Sequence, residues 1–140
     1  MYHEKGRSYD IRIYDEYSNS MDFWTMRNNQ VAKLLNRNNH IGIDIEDESY
    51  GFPFLLSWTL TLDGKSAIGC NDMKENGILS LAYKAQWRLF EEMKKLVEDG
   101  KITKTLFPNI LYVDDFNGSA TRTAMYLNSI YDTLEDDTND

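Results

Sequence analysis

A single cysteine, Cys70, rules out an intrachain disulfide and any zinc site built on several thiolates. Secreted domains of this size often carry a disulfide staple, so the count points to a reducing, cytoplasmic setting. Histidine is almost as scarce, and His3 and His40 stand far apart without the spacing of metal ligands. Proline occurs twice and glycine eight times, and neither gathers into a linker that would divide the chain. Long apolar runs are missing too. The longest, around Phe52 to Leu56, is far too short to span a bilayer. The opening Met-Tyr-His-Glu-Lys-Gly-Arg-Ser has no apolar stretch behind its charges, unlike a signal peptide. These absences predict one soluble domain over residues 1–140, with a loose N-terminal arm at 1–7 and a frayed acidic tail at 135–140.

Positive charge is in deficit, with 15 Lys and Arg against 23 Asp and Glu, for a net charge of −8. Direct binding to nucleic acid or to anionic membrane needs the opposite balance, so neither is an expected partner. Lys94, Lys95, Lys101 and Lys104 read as a solvated helix end. What the chain has in quantity is apolar and aromatic surface: 41% hydrophobic and 13% aromatic residues, with nine Tyr, six Phe and three Trp. Such a composition can offset the entropy of ordering, so a packed core is expected.

Hydrophobic period gives the elements. Tyr9, Ile11 and Ile13 alternate with Asp10 and Arg12, as in a half-buried strand. From Asp22, the positions Phe23, Met26, Ala32, Leu34 and Leu35 predict a helix that stops at the turn-forming run 36–39, which holds three asparagines. Residues 40–46 alternate again through Ile41, Ile43 and Ile45. Phe54, Leu56, Trp58, Leu60 and Leu62 then share one strand face, and Leu55, Ser57, Thr59 and Thr61 the other. Asp63-Gly64 follows as a hairpin signal. A bulged turn into a return strand at 65–70 sets Ile68 opposite Trp58 and Cys70 opposite Leu56, which makes Cys70 a core residue.

Leu79, Ala82, Leu89, Phe90, Met93, Leu96 and Val97 predict one long amphipathic helix ended by Gly100. Residues 109–113 read as a short strand. A last helix opens on Ser119 as N-cap, with Ala120, Thr123, Ala124, Leu127, Ile130, Tyr131 and Leu134 as its stripe. The expected class is α+β: a mainly antiparallel sheet of about four to five strands with a central hairpin, packed by two to three helices.

No glycine-rich phosphate loop occurs. Gly64-Lys65-Ser66 lacks the earlier glycine of a P-loop and follows a strand. No nucleophile elbow or nucleophile–base pair stands out, and no cofactor is implied. Carboxylates are the chemically suggestive groups, with Asp44, Glu46, Asp47 and Glu48 in one cluster and Asp114 and Asp115 in another. Each cluster follows a predicted strand. If those strands are neighbours, Asp44, Glu46, Asp114 and Asp115 together suit a divalent metal and phosphoryl-transfer or nuclease chemistry. The plainer reading is solvated turn and cap residues. Tyr112-Val113-Asp114-Asp115 resembles the Tyr-x-Asp-Asp signature of reverse transcriptases, but over four residues only; a polymerase palm with its fingers needs a longer and usually basic chain.

Trp24, Tyr14, Tyr17 and Tyr50 fall near turns, where exposed aromatics supply interface area at little entropic cost. Acidic clusters, these aromatics and the lack of catalytic motifs predict a small protein-binding module or inhibitor, not an enzyme, that meets a partner with a basic surface. A sharper form is a mimic of nucleic acid seated in the groove of a DNA- or RNA-binding protein. In size, acidity and lack of motifs the chain is similar in type to counter-defence proteins of phages and mobile elements, such as anti-restriction and anti-CRISPR proteins. The metal-dependent enzyme built on the carboxylates is the alternative.

Overall fold

Asp22 starts the first helix. Its backbone is extended and its carboxylate accepts the Thr25 N–H at 2.8 Å, capping α1 (Phe23–Leu35). The helix ends at Asn36, where the asparagine-rich run was expected to stop it. The computed structural model describes residues 15–36, 53–61, 77–115 and 118–135. The remaining elements are β1 (Leu55–Ser57), α2 (Ile78–Gln86), α3 (Leu89–Glu98), β2 (Ile110–Tyr112) and α4 (Gly118–Ile130), with a 3₁₀ turn at Tyr131–Thr133.

The expected four- to five-stranded antiparallel sheet is corrected. The described residues hold a two-stranded parallel sheet, with Leu55, Leu56 and Ser57 in register with Ile110, Leu111 and Tyr112. Among the described residues two helices lie between the strands in sequence, the length of connection that a parallel pair requires. Hydrogen bonds show what lies along each edge of β1. Residues of even number point their amides at β2: the Phe54 carbonyl accepts from Ile110 N at 3.1 Å, and Trp58 N donates to the Tyr112 carbonyl at 2.9 Å.

Residues of odd number point the other way and meet side chains of α1. Ser57 N donates to Gln30 Oε1 at 3.0 Å, and the Leu55 carbonyl accepts from Lys33 Nζ at 2.8 Å. Helix α1 therefore closes the free edge of β1. The face of this strand opposite Phe54, Leu56 and Trp58 is covered as well, since Ser57 and Thr59 are buried. The predicted strands at 9–13 and 40–46, the Asp63-Gly64 turn and the return strand with Cys70 lie outside the described residues.

The single long helix predicted from Leu79 to Val97 is instead two, separated at Trp87 and Arg88. Two carbonyls just before the break accept from outside the helix. Trp58 Nε1 donates to the Ala85 carbonyl at 2.7 Å, and the Ser119 hydroxyl donates to the Gln86 carbonyl at 3.1 Å. Side chains that enter the helical ladder in this way interrupt it. Ser119 was expected to cap α4; it lies inside that helix and serves the neighbouring one. Helix α3 ends as predicted at Gly100, whose φ of 68° is the left-handed conformation that glycine favours. Lys101 N bonds the Leu96 carbonyl and Gly100 N the Val97 carbonyl, the two bonds of a Schellman motif.

These elements enclose one core. Met26 and Leu34 from α1, Phe54, Leu56 and Trp58 along β1, Leu81 and Ala85 from α2, and Leu89, Met93 and Leu96 from α3 belong to it. Ala120 and Leu127 close it from α4, while Ala124 and Tyr131, both placed in the predicted stripe, are exposed.

Candidate functional site

Helix α2 buries Leu81, Ala82 and Ala85 against the core, so residues four apart on its far side must face outward. Leu79, Tyr83 and Trp87 form that outer line, 73%, 66% and 71% exposed. The Tyr83 and Trp87 rings lie 6.4 Å apart at a tilt. Singly exposed apolar residues are ordinary, but three large ones in a row on one helix are not.

A cleft of about 360 Å³ opens beside this ridge. The start of α1 supplies one wall, through Met21, Phe23 and Trp24, and Leu60 lies below. Lys84, Trp87 and Arg88 supply the other. Trp24 is 50% exposed and held from behind. Its ring packs edge-on to Phe23 at 5.1 Å, and Phe23 packs edge-on to the buried Trp58 at 6.0 Å. The Arg88 guanidinium sits over the Trp24 ring at 5.3 Å. A chain of rings thus runs from the core to the surface and fixes the platform. Trp87 also borders a second depression of about 270 Å³, shared with Tyr83, Gln86, Gly118 and Ser119. It stands as a post between two hollows.

Lys84 and Arg88 supply cations, and among the described residues no carboxylate lies within ion-pair range of Arg88. Asp22, the carboxylate among the described residues that line the cleft, is engaged in capping α1. The backbone hydrogen bond from Thr25 holds its carboxyl below the ordinary 3.8.

The residues predicted from sequence fall in several places. Trp24 lines the cleft. Tyr17 is exposed and meets Tyr112 edge-on at 6.3 Å, beyond the end of β1. Its hydroxyl is raised above 10.0, first by the charge of Asp15 and to a lesser degree by burial, Tyr112 and Asp114. Asp114 follows β2 as expected, and partial burial pushes its carboxyl above 3.8. The Asp115 carbonyl accepts from the Gln86 amide. Asp44, Glu46, Asp47, Glu48, Tyr14 and Tyr50 lie outside the described residues. Among the described residues no three His, Cys, Asp or Glu side chains converge as metal ligands, and no helix is long and apolar enough to cross a membrane.

Sequence reasoning missed Leu79, Tyr83, Trp87 and Arg88 as surface-forming residues. Leu79 was assigned to the buried stripe. The available signal was the four-residue spacing of three large apolar side chains, hidden by treating α2 and α3 as one helix.

No family model, no curated protein and no solved structure matches this chain.

Proposed function

We propose that this chain is a protein-binding module, not an enzyme, and that the outer face of α2 together with the adjoining cleft is its contact surface. The observation that carries this reading is the exposed line Leu79, Tyr83 and Trp87, with Trp24 across the cleft from Trp87. An amphipathic helix that presents anchors at four-residue intervals is the geometry by which helices seat in the apolar groove of a partner. Tryptophan and tyrosine are also the residue types that dominate binding energy at interfaces. The net charge of −8 adds long-range steering towards a basic partner, which speeds encounter more than it deepens affinity. An inhibitor that covers a basic, nucleic-acid-binding surface fits this pairing of aromatic anchors with an acidic field.

Capture of partners from host lysate on the tagged chain, washed across a salt series, tests the reading when run beside the double variant Tyr83→Ala, Trp87→Ala. A stoichiometric partner held by the wild type and lost by the variant supports it. A partner held equally by both refutes the assignment of the surface.

A further inference from the structure

The hollow between α2 and the start of α4 carries a more specific statement, one that rests on the binding-module reading above. We infer that it receives a cationic side chain of the basic partner, an Arg or a Lys, with its charge against the exposed rings of Trp87 and Tyr83 and an N–H on Gln86 Oε1. Gln86 is 1% exposed and lines the hollow. Its Nε2 donates to the Asp115 carbonyl, and a carbonyl can only accept, so that bond fixes which end of the amide is which. Oε1 is thereby left as a buried acceptor without a hydrogen-bond partner among the described residues. Buried polar atoms in folded proteins are nearly always bonded, and an exception on a residue that lines a cavity points to a donor from outside.

The rest of the hollow suits a donor that is charged. The one O–H of Ser119 donates to the Gln86 carbonyl at 3.1 Å, so this hydroxyl and the Gln86 Nε2 are both engaged as donors within the fold. Tyr83 and Trp87, each about two-thirds exposed, add aromatic faces whose negative potential attracts a cation. A depression of about 270 Å³ is smaller than the roughly 300–1,000 Å³ of small-molecule pockets and has room for one long side chain. The net charge of −8 draws a basic partner at long range, so the wide field and the chemistry of the hollow select the same sign.

Gly118 offers a variant confined to this hollow. It lines the depression in helical backbone, and a Cβ built on it meets no atom within 4 Å, so Gly118→Leu fits the fold while narrowing the hollow. The full chain serves as bait for a displayed library of random twelve-residue peptides, counter-selected on Gly118→Leu, which discards peptides held by the acidic field alone. The peptides that remain are expected to share an Arg or a Lys. Exchange of that residue for uncharged citrulline or acetyl-lysine in a synthetic peptide should weaken binding roughly tenfold, as should Trp87→Ala. In nuclear magnetic resonance spectra of the wild type the Gln86 side-chain amide should shift in step with saturation, a readout that needs no substitution in the core. Peptides that require the hollow without a shared cation, or that bind with the Gln86 amide unmoved, would overturn the inference and leave the α2 surface standing. A library without any peptide sensitive to Gly118→Leu would overturn the hollow as a docking site, and the capture experiment with Tyr83→Ala, Trp87→Ala judges the module separately.

Discussion

Replacement of Gln30 by Leu tests how the free edge of β1 is closed. The Gln30 side chain is buried and makes two bonds, accepting from Ser57 N at 3.0 Å and donating to the Glu16 carbonyl at 2.9 Å. Leucine has nearly the shape of the amide and neither bonding function. The Glu16 carbonyl keeps Lys33 Nζ as a donor at 3.0 Å, so the loss there is one net hydrogen bond, about 1 kcal/mol. Ser57 is 1% exposed, and its N–H loses its side-chain acceptor. A buried donor left unpaired costs about 1–3 kcal/mol. Burial of the leucine methyls returns about 1 kcal/mol of this. The net expectation is a loss of about 1–3 kcal/mol, a large fraction of the roughly 5–15 kcal/mol that holds a domain folded. Urea unfolding followed by circular dichroism measures the loss, and hydrogen exchange at the Ser57 amide locates it. Gln30→Glu keeps an acceptor for that amide and should preserve its protection better than Leu does. Stability within about 0.5 kcal/mol of wild type, with Ser57 protection unchanged, would refute the edge-closing role.

Other perturbations probe neighbouring parts of the same account. Trp58→Phe removes the indole bond to the Ala85 carbonyl and should cost about 1–3 kcal/mol in the same unfolding assay, with faster exchange at the α2–α3 break. Lys33→Met strips a donor from the Leu55 carbonyl and should destabilise by a similar amount at neutral pH, about 1–3 kcal/mol. Burial holds the Lys33 ammonium below 10.5, so between its folded value and 10.5 the unfolded chain binds more protons and the Lys33 contribution to stability rises with pH. The margin of wild type over Lys33→Met should therefore widen as pH approaches 10.5, read by unfolding at several pH values. Asp22→Ala should lower the melting temperature and Asp22→Asn should largely restore it. Because the Asp22 carboxyl lies below 3.8 in the fold, its charge-dependent contribution is present above that pH and fades as pH falls through the lowered value. Asn at this position should erase that acid-side slope.

Local signals in the sequence carried the helix ends well. Asp22, Asn36 and Gly100 act through short-range rules of capping and left-handed backbone, which need no knowledge of the rest of the chain. The strand at Ile110–Tyr112 was legible from its short apolar run. Pairing was not. Alternation along 54–62 describes one strand's faces but says nothing of what lies along its edges, and nothing in the sequence marks Gln30 and Lys33 as partners of that strand. Only the fold reveals that their polar ends serve β1. The break at Trp87 was hidden for the same reason, since its causes, Trp58 and Ser119, are distant in sequence. The exposure of Trp24 was legible from its place near a turn. Leu79, Tyr83 and Trp87 were not, because apolar spacing alone does not tell which of two helical faces meets the core. Of the carboxylates, Asp114 sits after β2 as expected, where partial burial raises its carboxyl above 3.8.

The central claim is that binding energy lies in the α2 ridge rather than in the carboxylates. Calorimetric titration of the captured partner with wild type, Trp87→Ala and the charge reversal Asp114→Lys, Asp115→Lys tests it most directly. The account predicts a loss of about 2 kcal/mol or more for Trp87→Ala, roughly thirtyfold in affinity. It predicts less than about 1 kcal/mol for the charge reversal, seen mainly in the association rate and its salt dependence. Full affinity in Trp87→Ala together with binding abolished by the charge reversal would contradict the account and return the function to the acidic surface.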